Sequence, residues 1–118
     1  MSDIKELTEQ ILKFCEERDW RQFHHPKDVA ISLLLEASEF LECFQWRNGK
    51  ELNKCIKENK EEYAGELADV FYWTLLAAHD LDIDLREAFE KKMVKNAKKY
   101  PVKDFKGRHP KSNLIVWS

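Results

Sequence analysis

The sequence predicts an all-α fold, and three observations predict it. Apolar residues recur at three- and four-residue intervals through most of the 118 positions. No stretch alternates polar and apolar residues for long enough to make a strand. Only three glycines and three prolines interrupt the chain, and they fall where helices begin or end.

Taken in order, the first helix runs from about Asp3 to Arg18, with Ile4, Leu7, Ile11, Phe14 and Cys15 on one face. A loop from Asp19 to His25 follows. Pro26 opens the second helix, because its missing N–H and fixed φ suit a first turn. That helix extends to about Phe44 and is apolar over much of its circumference, until Asn48-Gly49 turns the chain. A short helix is expected near Glu51 to Lys57, then a long one from about Lys60 to His79. Asp82 or Asp84 caps a last helix, Leu85 to Lys99, which Tyr100-Pro101 stops. The segment from Val102 to Ser118 reads as irregular, with an apolar end, Leu114 to Trp117, suited to packing on a body or a partner. The domain reading is one domain over 1–118, with a helical core over about 3–100 and a basic tail over 101–118. Four main helices make a bundle. The second and the long helix are apolar on more than one face, which a four-helix monomer covers poorly, so a homo-oligomer is expected.

Composition narrows the function classes. No apolar run approaches the roughly 18–20 residues that span a bilayer. The opening Met-Ser-Asp-Ile-Lys-Glu is charged from the start and predicts no cleaved leader. Cys15, Cys43 and Cys55 are scattered, without a CxxC pair, which predicts reduced thiols in a cytoplasm and argues against zinc. The net charge of −2 hides a division: residues 1–90 hold 21 acidic and 11 basic side chains, residues 91–118 one acidic and nine basic. Such a basic block suits a solvated helix end, a nucleic-acid arm or a phosphate cradle. The aromatic residues cluster in the acidic part of the chain, not among the lysines, which is the wrong arrangement for following a nucleic-acid backbone.

The informative feature is a pair of acidic doublets inside the two most apolar helices. Glu36 and Glu39 are three apart and share a helix face, with Leu33, Leu35, Phe40 and Cys43 around them. Glu66 and Asp69 repeat the spacing, with Val70 and Trp73 a turn further on. Four inward carboxylates repel one another and lose hydration, so something positive has to compensate. Neither helix supplies an inward Lys or Arg nearby. Oxygen-only ligands suit a hard ion, magnesium first and manganese second. A di-iron bundle would need an ExxH motif, and Leu76 stands three positions before His79. Glu42, Glu58, Glu61 and Glu62 read as ordinary surface acids.

Glu36-x-x-Glu39 followed by Glu66-x-x-Asp69 resembles the metal signature of the MazG-like, all-α nucleotide pyrophosphohydrolases, and most of all their dCTP pyrophosphatase branch. The resemblance extends to Arg18-Asp19-Trp20, Phe23-His24, Phe44-Gln45-Trp46 and Lys99-Tyr100-Pro101, covering roughly residues 15–101. It implies a helical homodimer, often paired into a tetramer, that cuts a (d)NTP at the α-phosphate into monophosphate and pyrophosphate. It also implies magnesium at Glu36, Glu39, Glu66 and Asp69, which serve catalysis as well; of these carboxylates Glu39 is our choice for the general base. The fuller signature has a third acid where Leu35 stands here, so the number of ions stays open. On the same reading Lys92, Asn96 and Lys99, at i, i+4 and i+7 on one face, lie beside the triphosphate with Tyr100, while Phe89 and Met93 bury. Trp20, His24, Trp46 and Trp73 frame the base. Competing accounts are an all-α dUTPase, which shares the chemistry, and a non-catalytic helical interaction module.

Overall fold

The computed structural model describes residues 3–108. Leu114 to Trp117, expected to pack on a body or partner, lie outside the described residues, as does His109. The described chain folds into α1 (Asp3–Glu17), α2 (Pro26–Glu42), α3 (Gly49–Glu58), α4 (Lys60–Asp80), α5 (Leu85–Lys99) and α6 (Val102–Phe105), with a 3-10 turn at Arg21–Phe23. It contains no strand among those residues. Helix ends fall within two residues of those the spacing predicts, and one expectation is corrected. The segment after Pro101 is not wholly irregular: the Pro101 carbonyl accepts from the N–H groups of Asp104 (3.0 Å) and Phe105 (3.1 Å). The Phe105 ring meets Tyr100 edge-on at 5.3 Å, which holds the short turn.

The chain divides into two compact units, 1–83 and 84–118. In the first, α4 packs on α2, α1 and α3. Its buried residues are Cys15, Val29, Cys43, Tyr63, Leu75, Leu76 and Ala78. Polar atoms fasten the helices where they meet. The Tyr72 hydroxyl and Cys15 Sγ lie 3.1 Å apart, joining α4 to α1. The Tyr63 hydroxyl donates to the Cys43 carbonyl at 3.4 Å, joining α4 to the end of α2. Phe44 adds a ring contact to Tyr63 at 5.0 Å. None of the described helices is long and apolar enough to cross a membrane.

In the second unit Asp84 caps α5, accepting from the Glu87 N–H at 3.0 Å. Asp82 does a different job at the end of α4. It adopts φ +54°, and the next N–H, of Ile83, reaches back to the Ala78 carbonyl at 2.8 Å. This is the left-handed ending of a Schellman motif, where a side chain costs roughly 1 kcal/mol against glycine. Asp82→Gly is therefore expected to raise the melting temperature by about 2–6 °C. An unchanged or lower midpoint in a thermal melt would show that the aspartate is unstrained there.

Candidate metal centre and aromatic slot

Because α2 and α4 pack together, the two acidic doublets meet. Glu36 and Glu66 are half-buried and Glu39 is exposed, and one oxygen from each lies within 4.8 Å of the other two. Asp69, one turn after Glu66, is exposed and stands outside that trio. Its charge still acts on both Glu36 and Glu66.

The trio is electrostatically costly as it stands. The Oε2 atoms of Glu36 and Glu66 are buried and have no hydrogen-bond partner. Leaving such an atom unsatisfied costs roughly 1–3 kcal/mol, and more when it is charged. Glu36 responds by holding its proton up to about 7. Its hydrogen-bonding contact with Glu39 is the largest cause, followed by burial and then by the charges of Glu39, Asp69 and Glu66. Burial raises Glu66 as well, helped by the charges of Glu39 and Asp69. The ion pairs of Arg18, Arg21, Arg86 and Lys91 go to other carboxylates: Glu17, Asp80, Glu90 and Glu87.

A small divalent ion fits this arrangement. Magnesium holds oxygens at about 2.1 Å, so its ligands stand at most about 4.2 Å apart, and the oxygens of the trio all lie within 4.8 Å of one another. The donors are all carboxylate oxygens, as a hard ion prefers, and Glu36 and Glu66 each carry a buried oxygen without a hydrogen-bond partner.

A second feature lies next along α4. A cavity of 250 Å³ is lined by Trp20, Phe23, His24, Asp28, Val29, Ser32 and Trp73. The 3-10 turn between α1 and α2 brings Trp20 and His24 onto α4. There the His24 ring meets Trp73 edge-on, with centroids 5.9 Å apart and planes at 87°. Phe14 supports Trp20 from behind at 5.5 Å. A larger apolar groove of 580 Å³ runs between α1 and α4, shares Trp20 and Trp73 with that cavity and is also lined by Asp69. The structure thus brings together Trp20, His24 and Trp73 of the four expected base contacts. Trp46, in the turn after α2, is 83% exposed and lines neither cavity.

Sequence reasoning passed over Arg21, Asp28, Ser32 and Asp80. Arg21 is paired with Asp80 through Nη2–Oδ1 at 2.5 Å and Nη1–Oδ2 at 3.3 Å, which pins the turn to the end of α4. Glu66, Trp73 and Asp80 recur every seven residues. They therefore share one stripe of α4, with steps of about 10.5 Å.

The remaining expected contacts belong to α5 in the second unit. Lys92 and Lys99 are exposed, while Asn96 and Tyr100 are half-buried. The Tyr100 N–H donates to the Asn96 carbonyl at 2.8 Å, and Lys99 Nζ sits 5.4 Å from the centre of the Tyr100 ring. Phe89 and Met93, expected to bury, are 63% and 50% exposed. Lys91 pairs with Glu87 along the helix at 2.6 Å.

Residues 31–113 match the model of the MazG-like family, a segment that contains both acidic doublets. The chain belongs to the MazG-like family. MazG-like relatives include dCTP pyrophosphatase 1 of Rattus norvegicus, 36% identical over 104 residues, covering 86% of this chain and 59% of that protein. The Homo sapiens dCTP pyrophosphatase 1 is 34% identical over 103 residues, with the same coverage. This chain thus spans about 59% of the length of those mammalian relatives. A solved pyrophosphatase from Archaeoglobus fulgidus superposes with a TM-score of 0.80 at 34% identity, covering 86% of this chain and 94% of the other. The all-α architecture is accordingly MazG-like.

Proposed function

We propose that this MazG-like chain is a magnesium-dependent nucleoside triphosphate pyrophosphohydrolase. Its substrates are dCTP or a related deoxynucleotide, and it releases the monophosphate and pyrophosphate as a safeguard of the nucleotide pool. The observation that carries the proposal is the pair of buried, unpartnered carboxylate oxygens on Glu36 and Glu66, set against Glu39. Such a trio repels a triphosphate on its own and receives one only through bridging cations. The names of the mammalian and archaeal relatives support the reaction class.

Glu36, Glu39 and Glu66, with Asp69 one turn on, would hold the metal. When bound, magnesium supplies charge neutralisation at the phosphates and lowers the pKa of water for attack at the α-phosphorus. The chain's own groups do the rest. Glu39 is the exposed member of the trio, and it is assigned the proton from the attacking water. Trp20 and Trp73 give the base two apolar surfaces, worth roughly 1–3 kcal/mol for each stacked ring. His24 offers its ring edge to the polar rim of the base.

The active form is proposed to be a homodimer or a dimer of dimers. Seven hydrophobic residues are buried in the described chain, while eighteen large ones are exposed, among them Leu34, Leu35, Leu67 and Phe71 on α2 and α4. A patch of that kind on a helical body calls for cover. The three free thiols suit a reducing compartment and hence the cytoplasm.

A panel of nucleoside triphosphates with magnesium, assayed for pyrophosphate and orthophosphate, tests the proposal. Pyrophosphate and dCMP from dCTP are expected. Orthophosphate as first product would overturn the cleavage position, and turnover in excess EDTA would remove the metal from the account.

A further inference from the structure

Arg21 makes contacts that no part of the proposed chemistry requires. Besides its two bonds to Asp80, its Nη1 lies 2.9 Å from His24 Nδ1. A guanidinium has only donors and stays charged, so this contact has one polarity: Arg21 donates and Nδ1 accepts. A neutral imidazole whose Nδ1 accepts must carry its proton on Nε2. A charged imidazole would set one N–H against another. The arrangement is anchored, since the Asp80 side chain is only 9% exposed and grips the guanidinium at two points. Burial, and then the charge of Arg21, push His24 below the usual histidine range, with Asp80 opposing. Among the described residues no hydrogen bond reaches His24 Nε2, and the atom is not sealed from solvent. The ring itself stands on Trp73 and lines the 250 Å³ cavity.

We propose that Arg21, anchored by Asp80, is a positioning residue that holds His24 as the Nε2–H tautomer. The aromatic slot then offers a hydrogen-bond donor and selects the base edge that turns a carbonyl or ring-nitrogen acceptor toward His24. This rests on the reading of the slot as the base site. It adds how the slot distinguishes one ring edge from another. A base turned so that an amino group faced His24 would set donor against donor and leave both unpaired, which is how a polar site discriminates. Arg21 itself touches neither base nor phosphate.

Two measurements test this separately. Nitrogen-resolved NMR of the histidines, without nucleotide, reads the tautomer directly. Wild-type His24 is expected to show an unprotonated Nδ1 and a protonated Nε2. Arg21→Met is expected to show mixed tautomers and a histidine that titrates at higher pH. A proton on Nδ1 in the wild type, or a spectrum unmoved by Arg21→Met, overturns the proposal. Should the methionine variant not fold, Arg21→Gln, whose amide can accept as well as donate, carries the same comparison.

Kinetics with dCTP then read the consequence. Arg21→Met should raise KM about tenfold and leave kcat within about twofold, the signature of lost positioning, with Arg21→Lys in between. His24→Gln supplies a side-chain N–H that needs no tautomer. In that background Arg21→Met should add less than about a twofold change. The same tenfold loss there would mean that Arg21 merely holds the turn, and would overturn its role. If the wild type turned over no nucleotide, the function proposed above would fall, while the spectra would still decide the tautomer.

Discussion

Glu36→Gln is expected to lower turnover by more than about 100-fold, because losing even an outer-shell partner of a metal ligand costs about 10–100-fold. The same substitution should make the metal-free protein more stable. It removes a charge from a trio of mutually repelling acids, in which the Glu36 Oε2 is buried without a partner. Glu66→Gln should behave alike. Opposite movement of activity and stability is the diagnostic result, since a residue that merely builds the fold loses both together. Magnesium titration calorimetry and thermal melts in EDTA measure the two sides. If Glu36→Gln kept its magnesium affinity, or melted lower than the wild type in EDTA, the acids would be structural and the metal centre would have to be sought elsewhere.

The second large effect is a linkage between metal, protons and folding. In the folded, metal-free protein Glu36 keeps its proton up to about 7, above its ordinary 4.5. The stability that comes with this proton is full below about 4.5 and is lost as the pH rises through 7. Melts in EDTA should therefore show a midpoint that falls between those values, and magnesium should restore it at the upper end. Metal and proton compete for Glu36, so magnesium affinity should weaken by up to about tenfold per pH unit below 7. At about pH 6 binding should release close to one proton, and above about pH 8 almost none. Calorimetry in buffers of different ionisation enthalpy counts those protons. A midpoint in EDTA that stayed flat across this range, with no proton released at the lower pH, would contradict the linkage.

Much of this was legible in the chain itself, for local reasons. Helix ends could be placed because Pro26, Asp84 and Pro101 act on their immediate neighbours. That the acids of α2 and α4 share a face within each helix was visible because a three-residue spacing in an apolar helix fixes which way two carboxylates face, although Asp69 stands outside the trio that the packing assembles. What escaped depended on pairing at a distance. Arg21 and Asp80 are 59 residues apart, and each alone looks like an ordinary surface ion. The tautomer of His24, which follows from that pair, was hidden for the same reason. Trp46 stands just past a helix end, where spacing no longer dictates direction, and it turns outward. The exposure of Phe89 and Met93 was hidden differently: whether an apolar stripe is covered depends on neighbours that periodicity does not name.

The stripe of Glu66, Trp73 and Asp80 has a consequence for how such a protein can change. One rod carries an acid of the carboxylate trio, the aromatic wall and the partner of Arg21, at intervals set by backbone hydrogen bonding and not by any side chain. The reach from carboxylate to ring is thus inherited from helical pitch. Exchanges at any of the three stations can retune chemistry or selectivity while that reach stays constant. Adding or deleting one residue between them would swing one station about 100° around the axis, past its counterpart on α2. Within α4, variation by substitution is open and variation by length is closed.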